Sequence, residues 1–360
     1  MSSSDQIFDS KAISSIRFVA LCMIVACHIF QGEDMALAWW FNVGVQIYLF
    51  ISGFLYGTKK ITDANAWIKK RLVRILVPYY LLLAVVIAFY LIFARDLLKM
   101  NSVLSNISLL QGFTNVFIPG IEHLWFISYI ILCYLITPVL QEADISNTKN
   151  STGRYLAELM LLLLGLQILK YLNVINLIIP DIGAYIIGYY FSRRHFYYNK
   201  YEGLAKSVST GRSVTAVFTL CILTTILTIY LQYFCKGGPL SLLLSIKWEI
   251  SAWNHTILGM SLFLALYLLF DRLYRLKSHR ILRCIINWSD VYSYTVYLTH
   301  QIFILGKYSM LNITGSKAAN ITLIIICSVI SGMLLEKVNC RTAKKFSPQK
   351  FADDQRIIAV

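Results

Sequence analysis

Arg17 and His28 stand eleven residues apart inside one apolar run, where a guanidinium and an imidazole need a reason to be present. Ionisable groups at membrane depth are costly and rare, and they mark substrate or proton paths more often than packing. Eleven residues at 100° each reach about 20° past three full turns, so on a helix both side chains share one stripe, about 16 Å apart along the axis. An imidazole, with an unperturbed pKa of about 6.5, takes a proton from a hydroxyl at ordinary pH, which makes His28 a candidate general base. A carboxylate would fix its tautomer; Asp181, Glu122 and Glu249 are candidates, and nothing in the spacing chooses among them.

Two further groups of residues have chemical promise. In Lys69-Lys70-Arg71-Leu72-Val73-Arg74, ahead of Pro78, Arg71 and Arg74 are three apart and share a helix face. Guanidinium groups fork onto phosphate oxygens, so the pair suits a phosphorylated co-substrate, although Lys and Arg at a span end also serve orientation alone. Ser293, Tyr297 and His300 follow an i, i+4, i+7 pattern that lines up a hydroxyl, a phenol and a second imidazole; hydrogen bonding between helices is the rival use of such a stripe. The eight cysteines form no Cys-x-x-Cys pair and no His/Cys metal spacing, so neither disulfides nor a metal are expected. Cys27 beside His28 points about 100° away and is expected to be a buried thiol.

The elements that must hold these groups are membrane-spanning helices. With 58% hydrophobic residues, 14% charged residues and a mean hydropathy of +0.63, the chain is too apolar for a soluble domain. Apolar runs near the roughly twenty residues that cross a bilayer recur at about 14–31, 38–57, 75–94, 121–141, 155–171, 174–191, 214–234, 250–270, 290–308 and 317–336. The expected fold is therefore an all-α integral membrane bundle of about ten helices, with 102–119 a re-entrant or interfacial stretch. With both termini inside, 26 of the 33 Lys and Arg fall on the inner side, leaving Arg95, Lys99, Lys170, Lys236, Lys247, Lys307 and Lys317 outside. Both termini are accordingly expected to be cytoplasmic. The chain divides into a single transmembrane domain over 1–345 and a cytoplasmic tail over 346–360; the first helix shows no cleavage pattern and is expected to be retained. The net charge of +15 is spread over loops facing anionic lipid, which argues for membrane lipids and against nucleic acid as its partner.

Five signals in order, Arg17-x10-His28, the run Asn42 to Phe54 containing Ser52-Gly53, Arg71 and Arg74 before Pro78, His123-Leu124-Trp125-Phe126, and Tyr297-x-x-His300, together resemble the acyltransferase-3 family almost end to end. That resemblance implies a bacterial inner-membrane, multi-pass enzyme that moves an acetyl or other short acyl group from cytoplasmic acyl-CoA to a hydroxyl of a cell-surface polysaccharide, such as capsule or exopolysaccharide, or of its lipid-linked precursor. It also implies His28 as the base, Arg17 as the first-helix arginine, Arg71 and Arg74 as donor-handling residues, and Ser52 as part of the second-helix signature. Trp125, Tyr297, His300 and Asp181 are expected to line substrate or to serve as structural polar residues. Acetyl-CoA would be a co-substrate, with no permanently bound cofactor, and self-association is left open. Ile47-Tyr48 stands where the family usually has two phenylalanines. A transporter or exporter of polysaccharide intermediates or small acyl compounds is the alternative, with Arg17, His28 and His300 as an ion relay. A scaffold role would leave the buried ionisable groups idle.

Overall fold

The computed structural model describes residues 3–143, 152–175, 177–199, 211–234, 247–275 and 280–346. Parts of the inner loops used to assign orientation, the tail after 346 and Cys235 lie outside these residues. Among the described residues the regular structure is helical, with no strand. The principal helices are α1 (Ser3–Gly32), α2 (Leu37–Phe41), α3 (Val43–Gly57), α4 (Ala64–Phe93), α5 (Met100–Ile107), α6 (Gln111–Thr114), α7 (Trp125–Ala143), α8 (Thr152–Tyr171), α9 (Ile179–Asn199), α10 (Gly211–Ile229), α11 (Lys247–Arg275), α12 (Arg280–Thr299) and α13 (Lys317–Phe346).

Seven helical segments are long and apolar enough to cross a membrane: Ser10–Gly32, Leu37–Gly57, Ala64–Phe93, Glu122–Ala143, Ser213–Tyr233, Lys247–Tyr274 and Lys317–Thr342. The expected fifth, sixth and ninth spans are also helices, α8, α9 and α12, but are not among those seven. All three are more polar: α8 carries Arg154, Glu158 and Lys170, α9 carries Asp181, Arg193, Arg194 and His195, and α12 carries Arg280, Arg283, Asn287, Asp290 and several Ser, Thr and Tyr. The stretch 102–119 breaks into α5 and α6 instead of forming a span.

Several boundaries correct the sequence expectation: α1 starts at Ser3 instead of 14, α12 runs Arg280–Thr299 instead of 290–308, and the third span starts early. The hydropathy places span three from residue 75, with the basic cluster in the preceding loop, but α4 starts eleven residues earlier at Ala64. Asp63 caps it, its side chain accepting from the Ala66 amide at 3.0 Å, and Lys and Arg are good helix formers, so the cluster folds as helix. Pro78 lies inside α4, neither at its first turn nor at its end.

The chain forms two compact units, Met1–Ile24, Trp39–Ile61 and Ile136–Arg280 in one, and Val25–Ala38, Thr62–Leu135 and Ile281–Val360 in the other. In the first unit, Ala12, Ile16, Ala20 and Met23 of α1 recur every three or four residues and meet Val43, Ile47 and Phe50 of α3 and Leu258 and Phe263 of α11 in one core. Helices α3 and α9 touch backbone to backbone. A Cβ on Gly53 would overlap the Tyr185 carbonyl oxygen, one on Gly57 the Tyr189 oxygen, and one on Gly188 the Phe50 oxygen. Small residues that let backbones approach are the usual contact device between helices in lipid. In the second unit, Ile29, Ile304, Leu311 and Ile324 form a core, while the tyrosine hydroxyls of α4 hold the irregular segment after it: Tyr79 donates to the Asn106 carbonyl at 2.7 Å and Tyr90 to the Pro119 carbonyl at 2.8 Å.

Because the obstacle at Gly53 is backbone, Gly53→Ala is expected to cost about 1–3 kcal/mol and to lower the thermal midpoint in detergent. Gly165→Ala in α8, where nothing lies within 4 Å, is the matched control and should be neutral or slightly stabilising.

Candidate active site

The second unit gathers three imidazoles. His28 comes from the last two turns of α1, His123 from the 3-10 turn Glu122–Leu124 leading into α7, and His300 from the 3-10 turn His300–Phe303 that continues α12. Ring centres lie 5.1 Å apart for His28 and His300, 5.9 Å for His28 and His123, and 4.8 Å for His123 and His300. His123 and His300 are buried, whereas His28 is half-buried.

Two glycines let the supporting loops meet. Gly120 (φ +82°) precedes the His123 turn and Gly306 (φ +92°) follows the His300 turn; a Cβ on Gly306 would stand 3.0 Å from the Gly120 Cα. Only glycine takes that backbone region without penalty at such close approach.

Hydrogen bonds then fix the rings. The Tyr297 carbonyl accepts from Nε2–H of His123 at 3.0 Å and from Nδ1–H of His300 at 2.6 Å, and the Tyr297 hydroxyl returns to the His123 carbonyl at 2.7 Å. The backbone amide of His123 donates to Gln301 Oε1 at 2.9 Å; Gln301 Nε2 donates to Glu122 Oε2 at 2.9 Å; Glu122 Oε1 accepts from the Gly120 amide at 2.9 Å. A carbonyl oxygen only accepts, so the two bonded imidazole nitrogens carry the protons. The opposite nitrogens, Nδ1 of His123 and Nε2 of His300, are buried and have no hydrogen-bond partner among the described residues. His28 Nδ1 pairs with Gln31 Oε1 at 3.1 Å, which leaves Nε2 as its basic atom. The cluster therefore presents proton acceptors to anything bound within it.

The structure brings together His28, Tyr297 and His300 of the sequence candidates and adds His123. The histidine of His123-Leu124-Trp125-Phe126 was visible as part of a motif, and a third imidazole at the mouth of an apolar span was the signal that it belongs with the other two. None of the suggested carboxylates pairs with His28. Glu122 orients Gln301; Asp181 accepts from Gln46 Nε2 at 2.7 Å, and Glu249 binds Lys170 and Gln167, both within the first unit. An amide, Gln31, takes the place of the expected carboxylate.

The remaining candidates stand elsewhere. Arg17 and Ser52 belong to the first unit, where Arg17 donates to the Ser14 hydroxyl at 3.2 Å and Ser52 to the Tyr48 carbonyl at 2.8 Å. In the second unit, the Arg71 guanidinium sits over the Trp67 ring at 5.6 Å, while Arg74 is exposed. Trp125 packs edge-on against Tyr129 at 5.3 Å, and Phe126 packs against Tyr297 at 5.6 Å. Cys27 is buried and unbonded, as a structural thiol should be. Among the described residues no group of three or more His, Cys, Asp or Glu has metal-binding geometry.

The described helices include several long and apolar enough to cross a membrane, and three imidazoles meet in the second unit. The family described as an acyltransferase domain, acyltransferase-3, matches residues 10–336, and the chain belongs to that family. It is thus a multi-pass membrane acyltransferase. No curated protein and no solved structure matches the chain.

The bonding pattern predicts opposite neutral tautomers for two neighbouring histidines. Solid-state NMR of histidine-labelled protein in lipid should report His123 protonated at Nε2 and His300 at Nδ1, each assigned by loss of its signals in the alanine variant.

Proposed function

We propose that this acyltransferase moves an acetyl or other short acyl group from acyl-CoA to a hydroxyl of a cell-surface polysaccharide or its lipid-linked precursor, in the bacterial inner membrane. Ten spans with cytoplasmic termini fit this reading, with α8, α9 and α12 as the less apolar spans. The observation that carries the proposal is the close set of three imidazoles, two of them with buried unbonded nitrogens, inside a chain of acyltransferase-3 type.

In the proposed reaction His28 Nε2 takes the proton of the acceptor hydroxyl as its oxygen attacks the thioester carbonyl carbon. The C–S bond breaks, and the imidazolium returns the proton to the departing CoA thiolate, so the imidazole is regenerated without a covalent acyl-enzyme. Base catalysis contributes about 10²–10⁴-fold, and holding donor and acceptor together supplies much of the rest. Two imidazolium charges with centres 5.1 Å apart would repel by about 3 kcal/mol at an effective dielectric near 20, so the cluster handles one transferred proton at a time. His123 and His300 offer lone pairs to other hydroxyls of the acceptor, which orient it beside His28. Arg71 and Arg74 are proposed to bind the donor's phosphates from the cytoplasmic side, with Arg17 retained as the family's first-helix arginine. The orientation rule places His28 toward the outer end of its helix, so the pantetheine arm entering the bundle, or a relayed acyl group, must cover the distance between.

Two variants test this with radiolabelled acetyl-CoA and purified protein in lipid. His28→Ala should reduce transfer by about 10²–10⁴-fold while leaving donor binding in place; Arg71→Ala with Arg74→Ala should chiefly raise the donor KM. Normal turnover in His28→Ala removes His28 as the base. Transport of acyl compounds without any transfer would favour a carrier.

A further inference from the structure

Away from the imidazole cluster, the second unit holds an open groove of about 560 Å³ that the acyl-transfer chemistry leaves unused. Its wall is one stripe of α4, on which Lys69, Leu72, Leu76 and Tyr80 recur at i, i+3, i+7 and i+11, completed by Thr342 of α13. Asn65 and Lys69, in the first two turns of α4, make that end of the groove polar. From Leu72 to Leu81 the wall is apolar, with the Tyr80 hydroxyl already committed to the Ile107 carbonyl at 2.8 Å.

Lys69 sets the sign of the ligand. It is exposed, it makes no hydrogen bond or ion pair among the described residues, and no lining residue of the groove is acidic. The carboxylate nearest to it in sequence, Asp63, is taken up by the cap of α4. Arg71 and Arg74, proposed above to hold the donor's phosphates, stand about 160° and 140° around the helix from Lys69, so the donor's contacts and the groove occupy different faces of α4. From Lys69 to Leu81 the stripe rises about 18 Å, a little more than half of the roughly 30 Å hydrocarbon core. The matching ligand is anionic at one end, apolar to the depth of one leaflet, and narrow. A zwitterionic headgroup would bring its own cation to a rim with no carboxylate to receive it. A second copy docked groove to groove about a two-fold along the membrane normal would set one Lys69 against the other at equal depth, which like charge opposes.

We propose that this groove binds one anionic phospholipid of the cytoplasmic leaflet, its phosphate on Lys69 and one acyl chain laid along Leu72, Leu76 and Tyr80. By the charge-derived topology the start of α4 is its cytoplasmic end, where anionic lipid is met. Phosphatidylglycerol has the required chemistry: a single negative charge for Lys69, and headgroup hydroxyls for the Asn65 amide and for the lone pairs of Thr342, whose own hydroxyl donates to the Val338 carbonyl at 3.0 Å. The site differs from the general attraction of basic loops to the membrane because it needs one lysine and one apolar stripe together. It stands whether or not the acyl-transfer reading does.

The test is native mass spectrometry of the full-length protein in detergent, titrated with phosphatidylglycerol and with phosphatidylcholine carrying the same acyl chains, read beside the thermal midpoint. One phosphatidylglycerol should bind at least about 5-fold more tightly than phosphatidylcholine and should raise the midpoint. Lys69→Ala should abolish that preference and leave the weaker phosphatidylcholine binding in place. Val73→Trp, at a lining position that is 40% exposed and so tolerates bulk, should fill the groove and weaken both lipids. Lys337→Ala removes an exposed charge from α13 outside the groove and should change neither. Equal binding of the two lipids, a preference that survives Lys69→Ala, or an equal loss from Lys337→Ala overturns the site. Displacement of phosphatidylglycerol by acetyl-CoA would overturn it in favour of the donor, and a dimer that forms only as the lipid leaves would overturn it in favour of a second copy.

Discussion

One carbonyl oxygen organises the imidazole cluster. Tyr297 lies in the last turn of α12, where carbonyls run out of partners one turn ahead and become available to side chains. Its oxygen takes an N–H from His123 and another from His300, and its phenol returns a hydrogen bond to the His123 backbone. Because a carbonyl can only accept, this one arrangement sets both tautomers and points the basic nitrogens away from the bond that holds them. Two glycines with positive φ and the run from Gly120 through Glu122 and Gln301 to the His123 amide keep the loops in register around it.

The first unit solves a different problem. Its helices lack a strong hydrophobic drive toward one another in lipid, so α3 and α9 gain contact by bringing bare backbone together at Gly53, Gly57 and Gly188. Gly53, which the sequence presents as half of a signature beside Ser52, is therefore a packing residue whose absent side chain is its function. Ser52 bonds back to its own helix at the Tyr48 carbonyl.

Much of the helical architecture could be read from hydropathy, since a span needs only length and apolar content. The basic cluster reads as a loop because charge marks the end of an apolar run, whereas the Asp63 cap and helix-favouring Lys and Arg extend α4 to Ala64. The site was legible in part. His28 and His300 stand out as imidazoles in apolar runs, and Tyr297 falls one turn before His300. Their meeting with His123, 174 residues from Tyr297, is tertiary and leaves no periodic trace. The choice of Gln31 over any carboxylate as the partner of His28 was equally hidden, because it depends on a contact one turn along the same helix and on Glu122 being engaged by Gln301.

The central claim is that the acyl donor and the three imidazoles meet. A density map of the protein bound to a thioether analogue of acetyl-CoA measures this directly. The account predicts the analogue's carbonyl within about 3 Å, or one intervening water, of space reached by His28 Nε2. An acyl group seated away from all three imidazoles, with the acceptor hydroxyl facing some other base, would contradict it.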